Sequence, residues 1–223
     1  MKILCINPNS SQEVTEAIDN ICKHYALPNT EVETKCIEEA PSSIESYLDA
    51  SLSTPYLIKR FKKWEEQYDG FIIACHSDMG VDLLRELTAK PVIGIGEASM
   101  LFASILGHKF SILSLKRKAV PKKEDLVKKY GLDNRCASIR ATGLGVIGNY
   151  KEKRDKLMRE GIKAVKEDGA EVLILGCAGM TGLDKEIENK AGVPVIDGVV
   201  SALMIIESLI RYGLTTSKIG KYL

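Results

Sequence analysis

Asp69-Gly70-Phe71-Ile72-Ile73-Ala74-Cys75 is followed by a short helical stretch and then by Lys90-Pro91-Val92-Ile93. Further along, Ala170-Glu171-Val172-Leu173-Ile174-Leu175-Gly176-Cys177 is followed by another short helical stretch and by Val193-Pro194-Val195-Ile196. The two cysteines lie 102 residues apart and the two prolines 103, so a slip of one residue aligns the blocks. Lys2-Ile3-Leu4 and Lys109-Phe110-Ser111-Ile112 open a strand in each half in the same way. A period of this length exceeds that of a solenoid repeat and fits two duplicated α/β lobes.

Outward from these blocks, short β-rich runs alternate with longer helical ones. Lys2–Ile6, Glu31–Ile37, Gly70–Ala74 and Pro91–Ile95 read as strands, as do Lys109–Leu115, Arg135–Arg140, Glu171–Gly176 and Pro194–Ile196. Several are continuous apolar runs, the pattern of parallel strands covered on both faces. Ser11–Tyr25, Pro55–Gln67 and Tyr150–Asp168 read as helices between them. Strand–helix alternation predicts right-handed βαβ units and an α/β fold of two pseudo-symmetric lobes. Each lobe has a mainly parallel sheet flanked by helices, with an active site in the cleft between them. The expected division is 1–97 with 201–223 for one lobe and 98–200 for the other, the chain crossing at Ile95–Ser99 and after Val200.

Charge and composition exclude other classes. The 223 residues carry 31 basic and 30 acidic side chains, a formal charge of +1. A nucleic-acid binder would normally gather a basic excess on one face, so no nucleic-acid partner is expected. No apolar run reaches a membrane span, and no membrane partner is expected. Met1-Lys2-Ile3-Leu4-Cys5 enters a strand pattern without a secretory leader, which gives a cytoplasmic expectation. The six cysteines form no CxxC or other close pair, so neither a disulfide framework nor a structural metal site is expected. For Cys5, Cys22, Cys36 and Cys136 the reading is a small apolar side chain.

Cys75 and Cys177 differ by position, each ending a strand and preceding a turn and helix. Ligands of open α/β sheets bind outside the carboxyl ends of strands. A thiol there lies beside unpaired helix N–H groups that favour thiolate, and the same groups can hold a carboxylate or an enolate. One cysteine would suggest a nucleophile. Two from equivalent places suggest an acid and a base on opposite faces of one carbon. One thiolate takes the proton from a stereocentre beside a carbonyl, and the opposed thiol returns a proton to the other face. No cofactor is called for, since neither a ligand cluster nor a pyridoxal lysine motif occurs.

Five segments in order then carry a family resemblance. Ile6-Asn7-Pro8-Asn9-Ser10-Ser11, Ala40-Pro41-Ser42-Ser43-Ile44-Glu45, Cys75, Gly94-Ile95-Gly96-Glu97-Ala98 and Gly176-Cys177-Ala178-Gly179-Met180 resemble the hydantoin racemase branch of the Asp/Glu racemase superfamily. The resemblance covers essentially the whole chain. It implies cofactor-independent racemisation of a small molecule by a cysteine pair, with Cys75 and Cys177 catalytic. Members act on hydantoins, allantoin and acidic amino acids, and often self-associate, so a homo-oligomer is a possible state. Maleate isomerases and arylmalonate decarboxylases are relatives, the latter keeping one cysteine. The family usually shows an aromatic after the first cysteine, as Cys-Phe-(Gly/Ser)-Asp-Pro-Gly. Here Cys75-His76-Ser77-Asp78-Met79-Gly80 stands instead, which bears on substrate identity.

Candidate binding residues follow from their places at strand ends. Asn7 can bind a ring carbonyl or form the turn before the first helix, where Ser10 or Ser11 is the N-cap. Ser77 can hold substrate or cap a helix beginning near Asp78. Ser114 is the second-lobe counterpart of Asn7, Ser43 lies in a segment resembling a substrate cover, and Ala178 and Gly179 follow Cys177. His76 should point away from Cys75 by strand alternation. Glu97 reads as a helix cap, and the basic run Lys116–Lys129 as a solvated face. The leading reading is a racemase for a hydantoin- or allantoin-type ureide. Its rivals are an aspartate or glutamate racemase, a maleate-type isomerase with the same cysteines, and a non-catalytic binder.

Overall fold

Continuous runs such as Phe71-Ile72-Ile73 and Val172-Leu173-Ile174-Leu175 cannot leave either face in water, and the fold buries both faces of these two strands. The computed structural model describes residues 1–145 and 150–223. Its first half places β1 (Lys2–Asn7), α1 (Gln12–Tyr25), β2 (Glu31–Cys36), α2 (Tyr47–Trp64), β3 (Gly70–Ile73), α3 (Val81–Leu87), β4 (Val92–Gly94) and α4 (Ile95–Leu106). The second half places β5 (Phe110–Ser114), α5 (Val120–Lys129), β6 (Cys136–Ala141), α6 (Tyr150–Asp168), β7 (Val172–Leu175), α7 (Asp184–Ala191), β8 (Val195–Ile196) and α8 (Gly198–Tyr212).

The first sheet has the order β2-β1-β3-β4 and the second β6-β5-β7-β8. Every pairing is parallel, with Leu4 opposite Phe71 in one sheet and Ser111 opposite Leu173 in the other. The same strand order twice is the structural form of the repeat, and the predicted two-sheet α/β architecture is what the chain adopts.

Helices α4 and α8 tie the halves together by exchange. Met100 and Ala103 of α4 pack with Phe110, Ile112 and Val172 of the second sheet. Ala202, Leu203 and Ile206 of α8 pack with Ile3, Cys5 and Ile72 of the first. Each helix leaves one sheet and covers the other. Where they meet, a Cβ on Gly198 would lie 2.7 Å from the Ile95 carbonyl oxygen, so that crossing requires glycine.

One helix boundary departs from expectation. α2 begins at Tyr47, eight residues before Pro55, with the Ser46 hydroxyl accepting from the Asp49 amide at 3.2 Å. A proline favours the first helical turn, and that preference misplaced the start. Burial of Ser53, Leu57 and Phe61 against the first sheet keeps the helix continuous through Pro55.

Candidate active site

The carboxyl ends of β1, β3, β5 and β7 open on one cavity. The first sheet contributes Asn9, Ala74, Cys75 and Ser77, and the second contributes Ser114, Gly176, Cys177 and Gly179. Ile44 and Glu45, just before α2, and Lys122 and Lys123 of α5 complete its walls. Those walls are bonded to one another. Lys116 and Lys118 pair with Glu45, and the Lys122 ammonium donates to the Ser46 carbonyl at 3.1 Å.

Cys75 sits one residue past the last ladder bond of β3, where the Ala74 amide donates to Ile6 at 2.9 Å. The Asp78 amide donates to the Cys75 carbonyl at 2.9 Å and closes a turn. Within it the Ser77 hydroxyl lies 3.2 Å from the Cys75 sulfur. Ser77 therefore does not cap a helix: α3 starts later, at Val81, behind a left-handed Gly80 that makes no side-chain cap. Asp78 holds a left-handed φ of 48°, a conformation Asp tolerates better than most residues. Its carboxylate accepts from the Gly96 amide at 2.8 Å and the Glu97 amide at 2.7 Å, so the loop behind Cys75 caps α4. A Cβ on Gly94 would lie 2.2 Å from that carboxylate, which explains one glycine of the Gly94-Ile95-Gly96 motif. Glu97 serves as expected, accepting from the Gly94 amide at 3.2 Å, and it also pairs with Arg85.

His76 is buried at 2% exposure and lies 3.2 Å from the Ser99 hydroxyl through Nε2. The Ser99 hydroxyl also reaches the Gly96 carbonyl at 2.9 Å, and the buried Nδ1 has no hydrogen-bond partner among the described residues. Burial, and then the charge of Lys123, hold the imidazole well below its ordinary pKa and keep it neutral. Its bonded partner is Ser99, and the residue also contributes to the cavity lining beside Cys75.

Cys177 follows a strand end that is closely fitted. The Gly176 amide donates to the Leu113 carbonyl at 2.8 Å, and a Cβ at Gly176 would lie 2.5 Å from that oxygen. Lys123 donates to the Gly176 carbonyl at 2.5 Å. Burial pushes the Cys177 thiol up, while the Gly179 amide and the Lys123 charge pull it back. The thiol is thus suited to rest as an acid, with two groups in place to receive the negative charge when it gives up its proton.

Ser77, Ser114, Ala178 and Gly179 line the cavity with the two cysteines. Asn7 and Ser43 do not. The Asn7 amide is fully buried and donates to Asn9 at 3.0 Å and Thr15 at 2.9 Å, so it builds the turn that presents Asn9. In the loop before α2 it is Ile44 and Glu45, beside Ser43, that reach the cavity. The basic run also departs from expectation, because Lys122 and Lys123 face the cavity and Lys123 is only 5% exposed. Lys123 occurs in the same helical register as Leu126 and Val127, and that register was the available signal for burial. Among the described residues, no group of three His, Cys, Asp or Glu side chains is placed to hold a metal ion.

Known proteins are similar to this chain in sequence and fold. The sequence is 41% identical to a hydantoin racemase of Pseudomonas sp. (strain NS671), over all of this chain and 91% of that protein. The structure superposes on an allantoin racemase from Pseudomonas fluorescens with a TM-score of 0.96, at 37% identity and covering 100% and 96% of the two chains. An allantoin racemase from Klebsiella pneumoniae gives the same TM-score at 34% identity, over 100% and 92% of the chains. A glutamate racemase from Francisella tularensis shares the fold at a TM-score of 0.67 and 17% identity, covering 97% of this chain and 84% of that one. The model of the Asp/Glu/hydantoin racemase family matches residues 3–205, and the chain belongs to that family of isomerases.

Proposed function

We propose that this racemase inverts the stereocentre of a small cyclic ureide of the hydantoin or allantoin type, using Cys75 and Cys177 as opposed acid and base. The observation that carries the reading is the entry of the two cysteines into one cavity from equivalent strand ends of two sheets of the same order. In one direction a Cys75 thiolate removes the Cα proton, and the C–H electron pair moves onto the adjacent carbonyl as an enolate. The Cys177 thiol then protonates the opposite face and keeps the negative charge on sulfur. The reverse direction exchanges the roles. Ser77 and Ser114, with the Ala178 and Gly179 backbone, supply hydrogen-bond partners for the ring carbonyls. Asn9 takes the binding role first read for Asn7.

The thiols provide both proton-transfer groups, so neither a metal nor an organic cofactor enters the steps. The substrate side is a free small molecule, and the reaction belongs in the cytoplasm. Residues 1–97 with 201–223, and 98–200, form the two lobes, with α4 and α8 as the exchanged connections.

The test is a panel of optically pure hydantoins, allantoin, aspartate and glutamate, followed by polarimetry in buffered deuterium oxide. Loss of rotation with deuterium entering Cα of a ureide is expected. Racemisation confined to aspartate or glutamate would replace the ureide reading, and no turnover of any member would remove it.

A further inference from the structure

Lys123 is a buried lysine that forms no ion pair with a carboxylate among the described residues. Its Nζ donates to the Gly176 carbonyl at 2.5 Å. An ammonium carries three protons, so two donors remain. A buried, uncompensated charge costs several kcal/mol, and such groups are normally paired. Lys116, in contrast, is met by Glu45, and Lys129 by Asp82. The Lys123 ammonium is anchored to the residue preceding Cys177 and lines the cavity that contains both cysteines.

A cation in that place would serve the proposed reaction. One negative charge persists through turnover: it begins on one sulfur, passes to the enolate oxygen, and ends on the other sulfur. The proton moves from carbon to the first sulfur and from the second sulfur to carbon, and no electron donor or acceptor is involved. A fixed positive charge near both sulfurs compensates each stage without moving, which is how preorganised charge lowers a barrier. We propose that Lys123 is this standing counter-charge, a positioning residue that acts through the cysteines and keeps one of them ionised in each resting form of the enzyme.

The surrounding charges are consistent with this role, which rests on the racemase reading above. Burial lowers the Lys123 pKa, and the charges of Cys177 and then Cys75 oppose that fall. Lys122 also works against the ammonium, while Asp78 supports it. Glu45 and the other cysteine raise Cys177, the opposite of what Lys123 does. His76 is held neutral, which leaves it without a charge to offer.

The test is iodoacetamide alkylation as a function of pH, read peptide by peptide without substrate, on the wild type, Lys123→Met and Lys123→Arg. Loss of the cation should move the Cys177 profile upward by about 1–2 pH units, in the range for removal of a nearby opposite charge. At neutral pH, kcat should fall by roughly tenfold or more, with recovery in alkali and little change in KM. Arg should hold the profile near that of the wild type. Superposition of the Met and wild-type profiles would overturn the proposal, whatever happens to turnover. So would an unchanged profile with KM raised only for carboxylate-bearing substrates, which would make Lys123 a substrate anchor. If Lys123→Met does not fold, heteronuclear NMR of the wild-type Lys123 side chain decides. It must report an ammonium while Cys177 titrates, and a neutral amine there refutes the assignment. A wild type that turns over nothing yet shows the Lys123-dependent profile would fail the racemase reading and leave the charge pairing intact.

Discussion

The Tyr130 hydroxyl donates to the Asp78 carboxylate at 2.9 Å, which joins the loop behind Cys75 to the end of α5. The same carboxylate caps α4, so one side chain links the first sheet, the crossing helix and the helix that carries Lys123. Burial and the charge of Glu97 push its pKa up to about 7, against the Gly96 amide, the Tyr130 hydroxyl and the Glu97 amide. The ordinary carboxylate value is about 4. Between these values the folded chain keeps a proton that the unfolded chain has released. The contribution of Asp78 to stability is therefore full below pH about 4 and is lost as pH rises through about 7.

Asp78→Asn removes that titration. The stability of the wild type relative to the variant should fall steadily from about pH 4 to about pH 7 and level off above it. Thermal unfolding of both proteins at matched pH values measures the difference. A constant offset across this range would show that the carboxyl does not hold its proton.

Gly176→Ala tests the fit behind Cys177. The added carbon meets a backbone oxygen 2.5 Å away and the Lys123 side chain at 3.2 Å, and the carbonyl belongs to a central strand that cannot swing aside. Overpacking of this kind costs about 1–3 kcal/mol, and displacement of Cys177 should reduce turnover further. Gly220, with nothing near its Cβ, should accept Ala within about 0.5 kcal/mol. Urea denaturation of the two variants gives the comparison, and equal effects would show that the strand end yields.

The repeat made the two sheets and the cysteine-bearing strand ends legible, because apolar runs and their punctuation survive duplication. What escaped depends on contacts between distant segments. Asn7 and Asn9 are neighbours in one turn, and only the fold decides that Asn7 turns inward to Thr15 while Asn9 meets the cavity. Lys123 lies in a charged run whose composition reads as solvated, and its burial follows from the approach of α5 to Gly176. Asp78 looked like a helix start because it is followed by one. Its partners are 18 and 19 residues away on another helix, beyond the reach of any local pattern.

Chelation should leave turnover unchanged. The proposed chemistry needs one thiolate and one thiol, and no described triad of His, Cys, Asp or Glu is arranged for a metal. Exhaustive dialysis against EDTA, followed by the racemisation assay, is the measurement. Lost activity that one particular metal restores would contradict the two-thiol scheme.

The division of labour between the cysteines is open to a sharper experiment. Inversion needs a base on one face and an acid on the other, so Cys75→Ser and Cys177→Ser should each abolish racemisation. Serine cannot replace the base, since its hydroxyl is far less acidic than a thiol near pKa 8.5. Each variant nevertheless keeps one thiol on one face of the substrate. That thiol can abstract the proton from the enantiomer that presents it and return a deuteron to the same face, exchanging Cα with retention. The two variants should then exchange opposite enantiomers, slowly if the proton on sulfur rarely swaps with solvent. NMR of each pure enantiomer in deuterium oxide with either variant reads this directly. Exchange of the same enantiomer by both would place the two sulfurs on one face, and near-normal racemisation by either would show that its missing cysteine is not the second base.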